Sequence, residues 1–172
     1  PALAAELRAG EHGLTVVGNL PYYITSPILF ALLGARRHLR RAVVMMQKEV
    51  AERLVAEPGT KAYGILSVQL QLWARPSYLF TVKPGAFSPP PKVDSAVVAL
   101  EYSDIEEPDV DEDRLRNVVR TAFGQRRKML RSSLKALAKQ VPGAIPEAMQ
   151  TLRPEALTPT EFVKLTQALF DG

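Results

Sequence analysis

The residues Asn19-Leu20-Pro21-Tyr22 follow directly on the apolar run Leu14-Thr15-Val16-Val17-Gly18. An amide, a rigid proline and an aromatic ring at the end of a short buried-strand pattern can hold a flat, amine-bearing base. The carboxyl end of a strand is where open α/β folds place their ligands. The chemistry this suggests is methyl transfer to an exocyclic amine. An aromatic amine is a poor nucleophile because its lone pair is delocalised into the ring. Two acceptors on its N–H groups favour pyramidalisation and stabilise the positive charge that develops on attack. The Asn19 side-chain oxygen can be one acceptor, and the backbone carbonyl of Leu20 or of Pro21 the other. Proline fixes φ and helps aim that carbonyl, and Tyr22 can stack on the base. No strong base is required before attack, because the amine is already neutral; positioning supplies much of the rate. The same tetrapeptide also reads as a plain strand-to-loop turn with Tyr22 in the core.

A second segment, Phe87-Ser88-Pro89-Pro90-Pro91-Lys92-Val93-Asp94-Ser95, leads into the apolar run Ala96-Val97-Val98-Ala99-Leu100. Its three prolines make a stiff, extended loop. Phe87, at the start of that loop, is available to stack on a base or to anchor the loop against its own domain.

These residues need elements to hold them. The sequence pattern predicts strands over Leu14–Gly18 and Arg41–Met46. Tyr78–Lys83 and Ser95–Tyr102 read as an antiparallel pair at a sheet edge. Helices are expected over 2–9, from a Ser26 cap with Pro27 in the first turn to Gly34, over Glu49–Ala56, and over Ile65–Ala74. Leu115, Val118, Val119, Ala122 and Phe123 share one helical face, interrupted at Gly124. Leu130, Leu134 and Leu137 mark a second helix. Thr158-Pro159-Thr160-Glu161 is a capping-box pattern opening a last amphipathic helix with Phe162, Leu165 and Leu169. Met45, Met46 and Trp73 read as packing residues, and Lys48 and Glu49 as structural. Lys92 reads as surface or as a phosphate contact.

The 172 residues, 47% of them hydrophobic, suffice for one domain plus a small appendage. With no cysteine there is neither a disulfide framework nor a thiolate metal site, which suits a reducing compartment. His12 and His38 are too few and too isolated for a metal cluster and read as surface. There is no membrane-length apolar run and no signal-peptide pattern. The net charge of +4 is unevenly distributed. Asp104, Glu106, Glu107, Asp109, Asp111, Glu112 and Asp113 form an acidic run that reads as a solvated linker. From Arg114 to Lys139 there are nine cations and no acid. That run reads as a nucleic-acid face, against the alternative of solvated helices.

At this point the residues resemble a family, the ribosomal RNA adenine dimethyltransferases, and within it the bacterial small-subunit enzymes. The shared signatures are Asn19 through Ile24, Gln47 through Leu54, Tyr63-Gly64 with Leu66-Ser67-Val68, Phe87 through Val98, and Phe123 with Arg126-Arg127-Lys128 and Leu130-Arg131. Erythromycin-resistance methyltransferases of large-subunit RNA share the same segments, usually with Ile where Leu20 stands. The resemblance implies S-adenosylmethionine as methyl donor, with Asn19 touching both donor and adenine amine. It implies backbone acceptors at Leu20 and Pro21, and Tyr22 and Phe87 sandwiching a flipped adenine. It implies RNA contact by Arg120, Arg126, Arg127, Lys128 and Arg131. In one respect the sequence departs from the family: the strand, Gly-x-Gly loop and acidic ribose-binding residue that open such enzymes are not found, and none of the ten glycines forms a Gly-x-Gly triplet.

The expected fold is therefore α/β: the carboxyl-terminal half of a Rossmann-like methyltransferase sheet over residues 1–103, an acidic linker over 104–113, and a small all-α RNA-binding domain over 114–172. The expected function is S-adenosylmethionine-dependent dimethylation of two adjacent adenines in small-subunit (16S) ribosomal RNA, in the cytoplasm, on the immature small ribosomal subunit. The chain by itself is expected to be inactive and to bind the donor weakly or not at all. The alternatives are a non-catalytic RNA-binding or ribosome-assembly module, and an adenine methyltransferase of large-subunit RNA.

Overall fold

Runs of β-branched residues bounded by Gly and Pro build the strands of this chain, and apolar residues at helical spacing build its helices. The computed structural model describes residues 13–171. The helix expected over 2–9, and His12, lie outside the described residues.

The chain divides into two compact units. The first takes its described residues from 13–55 and 73–106. It holds β1 (Leu14–Asn19), α1 (Thr25–Gly34), β2 (Leu39–Gln47) and α2 (Lys48–Leu54). After α3 (Ile65–Trp73), of which only Trp73 falls in this unit, come β3 (Arg75–Val82) and β4 (Ser95–Glu101). The strand order is β1-β2-β4-β3. β1 runs parallel to β2, and β4 lies antiparallel to both β2 and β3. The expected antiparallel pair is thus present, with β3 at the edge. Pro76 is accommodated there because an edge strand can spare one ladder N–H. Ala42, Val44, Met46, Ala96, Val98 and Leu100 bury one face of the central strands, with Leu29, Leu33 and Leu54 in the same core. Trp73 is buried with the Arg36 guanidinium 4.3 Å above its ring.

Local chemistry moves some boundaries. α1 starts at Thr25, one residue before the expected Ser26 cap. The Thr25 hydroxyl donates to the carbonyls of Pro21 and Tyr22 and ties the helix to the turn before it. α2 starts at Lys48, where the backbone N–H donates to the Asp94 carbonyl at 3.0 Å.

The second unit takes residues 56–72 and 107–171 and is helical. Beside most of α3 it contains α4 (Glu112–Gly124), α5 (Leu130–Ser133), α6 (Lys135–Ala138), α7 (Glu147–Gln150) and α8 (Pro159–Phe170). Asp111 caps α4 by accepting from the Arg114 N–H, and Glu112 and Asp113 lie in its first turn, where acids suit the helix dipole. α4 packs on α8 through Leu115, Val118, Val119, Phe162, Leu165 and Leu169. Tyr63 is fully buried, donates to the Leu157 carbonyl at 2.8 Å and meets the Phe123 ring edge-on. Burial, and secondarily the Glu161 carboxylate, push its phenol well above the ordinary value, so it remains a donor. Thr158 and Glu161 close the expected capping box on α8. Gly143 is required by close approach: a Cβ there would lie 1.9 Å from the Ala168 carbonyl oxygen.

One expected helix is interrupted. The stretch marked by Leu130, Leu134 and Leu137 forms two short helices that break at Leu134. The Ser133 hydroxyl donates back to the Leu130 carbonyl, a local bond that competes with helix propagation.

Candidate active site

β1 ends at Asn19, which pairs with Met45 of β2. The ladder runs one residue further, with the Leu20 N–H donating to the Met45 carbonyl at 2.9 Å. Pro21 then stops it, having no N–H to give. Its extended backbone (φ −60°, ψ 129°) turns the chain into a single 3₁₀ turn over Tyr22–Ile24.

This turn distributes the backbone acceptors unequally. The Pro21 carbonyl accepts from the Ile24 N–H and from the Thr25 hydroxyl, both at 3.1 Å. No donor among the described residues reaches the Leu20 carbonyl or the Asn19 side-chain amide. Asn19 is exposed and Leu20 has its side chain buried.

The second wall comes from the proline loop. A 3₁₀ turn over Pro84–Ala86 places Phe87, whose N–H donates to the Pro84 carbonyl. Lys83 and Asp94 pair at 2.7 Å across the two ends of the loop. The structure brings Asn19, Leu20, Pro21, Tyr22 and Phe87 together with Pro89, Pro90 and Pro91 around one pocket of about 420 Å³. That volume is of the size that holds small ligands. Phe87 and Tyr22 are each half-buried and make no ring contact with one another, so the rings are not already closed on each other. The Tyr22 phenol and the Ser95 hydroxyl are 2.6 Å apart. Sequence reasoning placed Ser95 only as a strand start. Its partner is 73 positions away, and a serine opening an apolar strand is the one local sign of it.

The five basic residues all lie in the second unit. Arg120 is exposed on α4, Arg127 and Lys128 on the turn after it, and Arg131 on α5. None of these four has an acidic partner among the described residues. Arg126 differs: its guanidinium donates to the carbonyls of Thr60 and Lys61, both at 3.0 Å, and lies 3.6 Å from the Glu155 carboxylate. Among the described residues no group of His, Cys, Asp and Glu could hold a metal ion. No helix there is long and apolar enough to cross a membrane.

Comparison with known proteins bears on this geometry. The profile of the family described as ribosomal RNA adenine dimethylase matches residues 3–164. A protein of Salinibacter ruber named ribosomal RNA small subunit methyltransferase A is 57% identical over 98% of this chain and 56% of its own length. The protein of the same name from Porphyromonas gingivalis is 46% identical over 96% of this chain and 64% of its own. The chain thus spans somewhat over half the length of these relatives. Among solved structures, a dimethyladenosine transferase from Plasmodium falciparum aligns with a TM-score of 0.74 and 30% identity, over 88% of this chain and 64% of that one. The 23S rRNA methyltransferase ErmE aligns at 0.64 with 24% identity, over 93% and 66%, a likeness of fold alone. The fold is the Rossmann-like α/β fold of these methyltransferases. Profile, identity and fold agree, and the chain belongs to the ribosomal RNA adenine dimethylase family.

Proposed function

We propose that the pocket at the end of β1 is the target-base site of an S-adenosylmethionine-dependent adenine dimethyltransferase acting on small-subunit ribosomal RNA. The observation that carries this reading is the unequal use of acceptors. Pro21 spends its carbonyl on the turn, whereas the Asn19 amide oxygen and the Leu20 carbonyl remain available beside a pocket lined by two aromatic rings. An adenine held between Tyr22 and Phe87 would present its amine to those two oxygens. Each would accept one N–H bond, drawing the nitrogen towards a pyramidal geometry and stabilising the charge that grows on it. Of the two backbone carbonyls, Leu20 is then the acceptor, and Pro21 keeps the turn in place.

S-adenosylmethionine, when bound, supplies an electrophilic methyl group. Asn19 is the described residue we assign to it. The amide fits that role because it is exposed and carries no bond among the described residues. The target adenine must leave its stack to reach the pocket, and the stacking rings repay part of that cost. We assign phosphate contact to Arg120, Arg127, Lys128 and Arg131. Arg126 supports that surface by fastening the turn to Thr60 and Lys61. The names of the relatives support small-subunit RNA as substrate and dimethyladenosine as product; that two adjacent adenines are each methylated twice is part of the proposal. The proposed setting is the immature small subunit in the cytoplasm.

The test is transfer of labelled methyl groups to unmethylated small ribosomal subunits by the protein at its full natural length. Dimethyladenine in the digested RNA is the expected product. Binding to the subunit without transfer would instead assign the fold to ribosome assembly.

A further inference from the structure

We infer that Ser95 is a positioning residue for the target base: its hydroxyl holds the Tyr22 phenol, and so fixes the pocket wall that Tyr22 forms. The inference rests on reading this pocket as the base site.

Ser95 is fully buried and opens β4, a central strand. Its backbone lies between Gln47 of β2 and Val82 of β3, so it cannot shift without disturbing two ladders. Its side chain has a single rotor, and its hydroxyl lies 2.6 Å from the Tyr22 phenol. Tyr22, by contrast, sits in a three-residue 3₁₀ turn with no side-chain cap and is only half-buried. The immobile partner therefore fixes the mobile one. Ser95 is also the residue at which the loop begun by Phe87 re-enters the sheet. One side chain thereby ties the wall from the β1 turn to the foot of the wall from the proline loop.

This tether acts on orientation more than on affinity. The RNA is held mainly by phosphate contacts elsewhere on the protein, which a looser Tyr22 ring leaves intact. A base free to tilt against that ring spends less time with its amine aligned on both acceptors, and misplacement of a reacting group is costly in rate. The loss belongs in kcat.

The experiment compares Ser95→Ala, Tyr22→Phe and the double variant in methyl transfer to unmethylated small subunits, at full natural length. Phenylalanine keeps the ring and removes only the tether. Each single variant is expected to lower kcat about tenfold, with KM for the subunit within about twofold, and the double variant to be no slower than the slower single. Unchanged kcat in Ser95→Ala overturns the inference. So does a double variant slowed about a hundredfold, because the two groups then act independently. Tyr22→Phe leaves the buried strand untouched and decides the matter should Ser95→Ala fail to fold: an unchanged kcat refutes the tether and a tenfold loss supports it. Asn19→Ala in the same assay separates the two levels. If the unsubstituted protein transfers no methyl, or Asn19→Ala transfers as well as it does, the base-site reading falls and this inference with it. If Asn19→Ala abolishes transfer while Ser95→Ala is silent, the tether alone is wrong.

Discussion

At the end of the sheet Leu20 is bonded to Met45, Tyr22 to Ser95 and Lys83 to Asp94, whereas Arg120, Arg127, Lys128 and Arg131 of the helical unit have no acidic partner among the described residues. The first region is wired by contacts between residues distant in sequence. The second is a set of exposed charges, each attached to a helix or turn and to little else. A wired site depends on geometry, so one lost atom can disable it. A charged surface depends on summed potential, so its losses are graded and screened by salt.

The largest effect that would expose this contrast is at Asn19. With the proposed acceptor removed, Asn19→Ala should lower kcat for methyl transfer about 10²- to 10³-fold, the range found when one preorganised polar partner of a developing charge is lost. Because the Asn19 side chain is exposed and makes no bond among the described residues, the thermal midpoint of Asn19→Ala should match that of the unsubstituted protein. Activity within about threefold of normal would remove Asn19 from the chemistry and leave the pocket a structural turn.

Phe87 comes next. Stacking of a base on an aromatic ring is worth about 1–3 kcal/mol, so Phe87→Ala should reduce kcat/KM by roughly one to two orders of magnitude. Phe87→Tyr should retain most of it. A Phe87→Ala protein that transfers normally but melts early would make Phe87 an anchor of the proline loop, the other role its position allows.

The elements were legible in the sequence where local chemistry dictates them. The β-branched runs became strands. The prolines of 89–91 kept their segment out of the sheet, and Thr158 with Glu161 formed the cap that their spacing announces. The candidate site residues were legible for the same reason: four of the five are contiguous at a strand end. What could not be read depends on a distant partner or on which turn the chain takes up. Ser95 looked like the first residue of a strand because Tyr22 is 73 positions away. Residue types alone do not separate the Pro21 carbonyl from that of Leu20; the nearby Ile24 N–H and Thr25 hydroxyl do so once the turn has formed. The break at Leu134 coincides with a serine bonding its own turn, against an apolar spacing that favoured one continuous helix.

Arg126 and Arg127 carry the same lesson and a sharper test. They are neighbours of one residue type, yet Arg126 is bonded to Thr60 and Lys61 while Arg127 is exposed without an acidic partner. Arg126→Ala should destabilise the protein by about 1–2 kcal/mol, a value reduced for partial exposure, because two carbonyls lose a charged donor. Arg127→Ala should change stability by less than about 0.5 kcal/mol. Denaturant melts of the two variants would decide it, and equal midpoints would mean that the Arg126 contacts contribute nothing in solution.

The smallest effects per residue are expected along the exposed charges, and there the slope is more informative than the affinity. Each of Arg120, Arg127, Lys128 and Arg131 that neutralises a phosphate releases about one counterion. Replacing it with Gln should therefore weaken binding to the small subunit several-fold at moderate salt and flatten the log–log salt dependence by about one unit. The four losses should accumulate, because exposed charges screened by salt act nearly independently. Charge reversal at Arg126 and Arg127 together should weaken association too, with the Arg127 share appearing in the slope and the Arg126 share in stability. A quadruple Gln variant that keeps the full slope would move the RNA contact off this surface. It would also leave the methyl-transfer pocket untouched, because that pocket draws no residue from the basic run.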